Sequence, residues 1–262
     1  MILIAILVGT LAAGIGSVWL AALLSFGVLA RYTQHMLSLA AGALLATAFM
    51  HLLPEAFESK ASPDNLFAAL LVGLVFFFLL DKAELYHHGH EHHDRQISAG
   101  HHEHSHGHSH TAKSGSWAVL TGDSVHAFGD GILIASAFVA DMRLGVITAL
   151  AVLAHEIPHH MGDLVVLRQT SSNRRAALVK VSMAGAVTAI GGLAGYWLVE
   201  LLQDYLPFFL VAASSSFVYV ALADLIPQLQ TRLSARETVA QICWLLCGIA
   251  MVTLVSGLAH GH

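Results

Sequence analysis

Eight stretches of about 20 mostly apolar residues decide what this chain can become, because a helix must run about that far to cross the hydrocarbon core of a bilayer. They cover residues 2–29, 35–57, 66–86, 117–140, 144–167, 176–202, 208–229 and 239–258. Inside hydrocarbon, backbone N–H and C=O groups must be satisfied internally, which leaves only helices or a closed barrel. Continuous apolar runs of this length select helices. The expected fold is therefore all-α and polytopic: a bundle of eight transmembrane helices, with residues 1–262 forming a single transmembrane domain in a lipid bilayer. Charge supports this, since only 11% of residues are charged, against about 25% in a soluble domain. The first stretch has no basic leader and is about twice as long as a signal-peptide core, so it is expected to remain as the first helix.

Lys and Arg placement sets the orientation. The loops after the first, third, fifth and seventh stretches, with the helix ends beside them, hold ten of the 12 basic residues, and the alternate loops hold only Lys60 and Arg143. The positive-inside rule then puts both termini outside. It also makes the one low-complexity stretch, a His-rich loop at 87–112, cytoplasmic. That loop carries the run His101-His102-Glu103-His104-Ser105-His106-Gly107-His108-Ser109-His110. A segment this polar has no core to bury. Clustered imidazoles collect borderline metal ions, though a plain solvated linker would look the same.

Several classes are excluded or disfavoured. No basic patch supports nucleic-acid binding, and no G-x-x-x-x-G-K-[ST] loop supports ATP hydrolysis. Cys243 and Cys247 stand four apart in the last stretch, as a soft metal pair or as buried small hydrophobes, with the second expected.

The chemistry lies in the fourth and fifth stretches. Asp123, His126 and Asp130 recur at three and four residues on one helix, and His155, Glu156, His159, His160 and Asp163 crowd the next. Pairs four apart share a helix face one turn apart. Ionisable groups at membrane depth are costly and mark ion paths by default. His155-Glu156-Ile157-Pro158-His159 fits H-E-x-x-H, the metalloprotease pattern with Glu156 as base. Pro158, however, removes an N–H and frees the carbonyl of Ala154, and such backbone suits a polar cavity more than a rigid catalytic zinc. His126, Asp130, His155 and His159 can make a tetrahedral ring between the two helices, a ligand set for Zn²⁺, Fe²⁺ or similar ions. Glu156 lies about 100° round the helix from His155 and can face a neighbouring site, with Asp130 or His159 as the bridge.

These two stretches resemble the ZIP (Zrt/Irt-like) family of divalent metal transporters, whose motifs there are H-N-x-x-D and H-E-x-P-H-x-x-G-D. His51-Leu52-Leu53-Pro54-Glu55-Ala56 and Asp224-Leu225-Ile226-Pro227 resemble its second and seventh segments. The resemblance spans essentially the whole chain. It implies a transporter rather than an enzyme, carrying zinc, iron, manganese or cadmium into the cytoplasm as cargo with no cofactor, often as a homodimer. His126, Asp130, His155 and His159 match the primary site, and Asp130, Glu156 and His159 match part of a second. Ala127 stands where the family usually has Asn, and the sixth stretch lacks an Asp or Glu that could contribute. One well-formed site is therefore expected. His160 and Asp163 either line the exit path, or Asp163 pairs with a nearby cation. His51, Glu55 and Asp224 are either pathway groups or solvated interface residues. The plasma membrane, of the bacterial inner type, is the expected location. The competing reading is an intramembrane zinc metalloprotease.

Overall fold

Helix is the only regular structure among the described residues of the computed structural model, which are 1–25, 33–89, 111–170, 174–229 and 234–260. They form eight rods. The first joins α1 (Ile2–Leu11) to α2 (Ser17–Ser25) through a π-turn at Ala12–Gly16. The second joins α3 (Thr33–Thr47) to α4 (Leu53–Phe57) through a π-turn at Ala48–Leu52. Then come α5 (Pro63–Gly89), α6 (Thr111–Ala140), α7 (Met142–Thr170) and α8 (Arg174–Leu201). The seventh rod holds α9 (Leu206–Tyr219), a π-turn at Val220–Leu225 and α10 (Ile226–Leu229), and the eighth is α11 (Ala235–His260).

Among the described residues, six rods are long and apolar enough to cross a membrane; α6 and α7 are not among them. The ligand-type side chains those two carry lower their hydropathy. Several rods outrun the apolar stretches by about a turn, as α5 does to Gly89 and α6 from Thr111, because polar residues at a membrane surface can continue a helix. The ends of the expected His-rich loop are thus helical, and its centre, 90–110, lies outside the described residues.

Local chemistry explains the breaks. Two π-turns lie just before Pro54 and Pro227, where the ring would clash with the carbonyl four residues back and an N–H is missing. Widening the helix there relieves the clash. Asp141 is the only residue between α6 and α7, and its Oδ1 accepts the N–H of Arg143 at 2.8 Å and of Leu144 at 3.2 Å. This N-cap folds the two helices back on one another. Ser234 and Glu237 make a capping box at the start of α11, with the Ser234 N–H 2.8 Å from Glu237 Oε2.

The centre of the bundle is made by the second, fourth, fifth and seventh rods, whose buried Leu44, Leu52, Ile134, Val152 and Phe217 share one core with Ile6 of the first. A second cluster, Val18, Met161, Leu164 and Val181, joins the first, fifth and sixth rods beside the polar centre. The third and eighth rods are peripheral and present Phe67, Val72, Phe76, Ile242 and Leu254 outward. Cys243 and Cys247 on α11 are exposed free thiols, so the expectation that they are buried does not hold. An apolar face turned to lipid asks for the same small hydrophobes as a core does. Glycine lets α6 and α8 pack closely. A Cβ on Gly131 would sit 2.6 Å from the Gly192 nitrogen and nearer still to the Thr188 carbonyl oxygen. Gly14 and Gly185 bring the first and sixth rods together in the same way.

Candidate metal centre

The Asp141 turn makes α6 and α7 antiparallel, so residues at mirrored positions face each other. His126 and Asp130 of α6 meet His155 and Glu156 of α7, and one ligand atom from each lies within 4.8 Å of all the others. His155 Nε2 is 3.1 Å from Glu156 Oε1, 3.3 Å from Asp130 Oδ2 and 3.5 Å from His126 Nε2. His126 Nε2 is 3.4 Å from Glu156 Oε1 and 3.7 Å from Asp130 Oδ2. A tetrahedral zinc ion with bonds of about 2.0–2.1 Å holds its ligand atoms about 3.3–3.4 Å apart. The observed separations straddle that figure.

Orientation and burial point the same way. His155 places Nδ1 3.4 Å from the Ala151 carbonyl, leaving Nε2 to face the cluster. Such outer bonds fix the ring of a metal-ligating His. Asp130, His155 and Glu156 are buried, and neither Asp130 Oδ2 nor Glu156 Oε1 accepts a hydrogen bond. Buried carboxylate oxygens without donors are costly, and a cation between them removes that cost. Helix α7 runs unbroken through Pro158, between the two turns that carry ligands.

His159 stands elsewhere than the expected ring had it. Its ring stacks on His126 with centroids 5.6 Å apart, but its Nδ1 belongs to a second cluster with Asp123, His160 and Asp163. Glu156 takes the fourth corner of the first cluster instead. A residue next to His155 can do this because its longer side chain reaches back across the helix face. Glu156 also does the bridging, with Oε2 3.2 Å from His160 Nε2. Asp163 Oδ2 lies 3.3 Å from His159 Nδ1. His51 and Glu55 belong to neither cluster, and the Asp224 side chain lies outside the described residues. Asp123 was visible in sequence only as part of a polar stripe, and Ser17, whose Oγ is 2.9 Å from His160 Nδ1, gave no signal there.

A family model described as ZIP Zinc transporter matches residues 1–256. The chain belongs to the ZIP family. Zinc transporter ZIP13 of Pongo abelii is 27% identical over 86% of this chain and 67% of its own length. Zinc transporter foi of Drosophila melanogaster is 30% identical over 56% of this chain, and human Zinc transporter ZIP10 is 31% identical over 57%. This ZIP chain covers only 21% and 18% of the length of those two relatives. The all-α membrane architecture and the buried His, Asp and Glu cluster fit that membership.

Proposed function

We propose that this protein carries divalent metal ions, zinc foremost, across a membrane into the cytoplasm, through the centre formed by His126, Asp130, His155 and Glu156, with His159 beside it. The observation that carries the reading is the set of two imidazoles and two carboxylates whose ligand atoms converge within 4.8 Å of one another between α6 and α7. Iron, manganese and cadmium fit the same mixed donors, and Mg²⁺ and Ca²⁺, which take oxygen cages, fit them poorly. Named relatives are zinc transporters.

In this reading all eight rods cross the bilayer and residues 1–262 act as one transporter domain. Ten of 12 basic residues on alternate loops and the helix ends beside them support outside termini and a cytoplasmic His-rich loop at 87–112. The plasma membrane, of the bacterial inner type, is the proposed location. Lipid covers the apolar faces of α5 and α11, and a homodimer is the proposed assembly on the family resemblance alone. The metal is cargo, and the chain is a carrier rather than an enzyme. A protease would need an open water position and a free general base. Here four side chains close around one point and Glu156 is one of them.

Reconstitution in liposomes tests the reading, with inward flux of Zn²⁺, Fe²⁺, Mn²⁺ and Cd²⁺ measured for wild type, His155→Ala and a deletion of 87–110. His155→Ala should abolish flux, while the deletion should alter apparent affinity or regulation only. Undiminished flux in His155→Ala would remove the centre as drawn, and outward-only flux would reverse the direction.

A further inference from the structure

The second cluster has features that a structural salt bridge does not require. Asp123 is buried, lies 3.7 Å from His160 Nε2 and 3.8 Å from His159 Nδ1, and neither of its oxygens accepts a hydrogen bond. His160 is fully buried, and its Nε2 also has no hydrogen-bond partner, although Glu156 Oε2 stands 3.2 Å away. Unpartnered buried polar atoms therefore converge on one point, one turn along α7 from the first cluster.

The far side of His160 fixes its ring. Ser17 Oγ lies 2.7 Å from the Gly14 carbonyl oxygen and 2.9 Å from His160 Nδ1. A hydroxyl has one proton, and a carbonyl can only accept, so that proton goes to Gly14. Ser17 must then accept from Nδ1–H, which leaves the Nε2 of a neutral ring with a lone pair. That lone pair faces the carboxylate oxygens of Asp123 and Glu156. A divalent cation between them would accept all three at once. Ser17 and Gly14 hold the His160 ring as outer hydrogen bonds hold metal-ligating histidines. The Ala12–Gly16 π-turn, the only one among the described residues with no proline following it, lies at this point and carries the Gly14 carbonyl.

We propose that Asp123, His159, His160 and Asp163 form a second divalent-metal site, on the cytoplasmic side of the first and joined to it through Glu156, with Ser17 as the positioning residue for His160. Two imidazoles and two carboxylates again suit a zinc-like ion. The inference rests on the transport reading for its direction, because α7 runs from the outer face inward. It gives the ion a second resting place about 6 Å further on, one helical turn. Glu156 can hand the ion across by keeping one oxygen on each site. Its partner set differs from the one the family resemblance implies, since neither Ala127 nor α8 contributes a ligand.

Crystals of the full chain equilibrated with zinc chloride, measured at the zinc absorption edge, test this directly, because anomalous peaks locate each ion whatever the His-rich loop binds. Wild type should show a peak between Asp123 and His160 as well as one at His126, Asp130, His155 and Glu156. His160→Ala should lose the inner peak and keep the outer, and Asp123→Asn, equal in size, carries the same test if His160→Ala does not fold. Ser17→Ala should raise the zinc concentration that half-fills the inner site about 10-fold or more, with Ser17→Thr restoring it. An outer peak without an inner one at saturating zinc overturns this site and leaves the transport reading standing. Absence of both peaks overturns the transport centre too. Unchanged half-filling in Ser17→Ala overturns the positioning role.

Discussion

Gly131 and Gly129 lie two residues apart on α6, flank Asp130 and face opposite circumstances. A Cβ at 129 meets nothing within 4 Å, whereas one at 131 would lie 2.6 Å from the Gly192 nitrogen and 2.8 Å from the Gly191 carbonyl carbon. Those neighbours are backbone of α8 and have no rotamer to change. Restoring ordinary contact means opening α6 from α8 by about 1 Å, the scale on which close packing is lost. The overpacking costs about 1–3 kcal/mol, offset by about 1 kcal/mol of helix propensity gained on replacing Gly with Ala. The larger effect is on the centre. Metal–ligand distances tolerate shifts of about 0.2 Å, and α6 supplies both His126 and Asp130. Gly131→Ala should therefore melt only slightly lower than wild type yet lose most zinc flux in proteoliposomes. Gly129→Ala should melt at or above wild type with flux retained. Wild-type flux in Gly131→Ala, or equal damage from both variants, would refute the view that α8 sets the position of the ligands.

Asp141→Ala should lower stability by about 0.5–2 kcal/mol through loss of the cap, with Asp141→Asn keeping most of it, as thermal melts would read. Replacing Cys243 and Cys247 together by Ser should leave flux unchanged, since both face outward on α11; a loss would give them a role the fold denies them. Glu156→Gln keeps size and removes charge, so it should abolish flux while thermal unfolding shows a folded protein. Millimolar Mg²⁺ or Ca²⁺ should not compete with zinc uptake, because neither ion takes imidazole readily, and inhibition in a competition assay would contradict the ligand assignment.

Much of this was legible in the sequence. Apolar runs of spanning length and helix periodicity are local properties, so the all-α membrane architecture and a polar face on α6 and α7 could be read directly. The position of Glu156 was not, because a 100° offset on a helix wheel ignores the length and bend of a glutamate side chain. His159 was assigned to the first cluster by its spacing from His155. One turn along an antiparallel partner instead brings it opposite Asp123. Ser17 could not have been found, being 143 residues from His160 with nothing in its own neighbourhood to mark it. Periodicity states which residues share a face, but not which distant rod covers that face.

The single-residue connection at Asp141 bears on how such a chain enters a bilayer. Taken alone, α6 or α7 would expose carboxylates and imidazoles to hydrocarbon, at a cost of about 2.5–3.5 kcal/mol for each charge at the centre. A hairpin closed by one residue allows the two to partition together with their polar stripes turned inward, so the lipid meets mainly apolar flanks. The groups that make the pair useful are then the groups that make it insert as a pair. The first cluster lies wholly within residues 126–156 and needs no other rod for its ligands. It can assemble while the later rods are still being synthesised, whereas the contact with Ser17 waits for the first rod to dock.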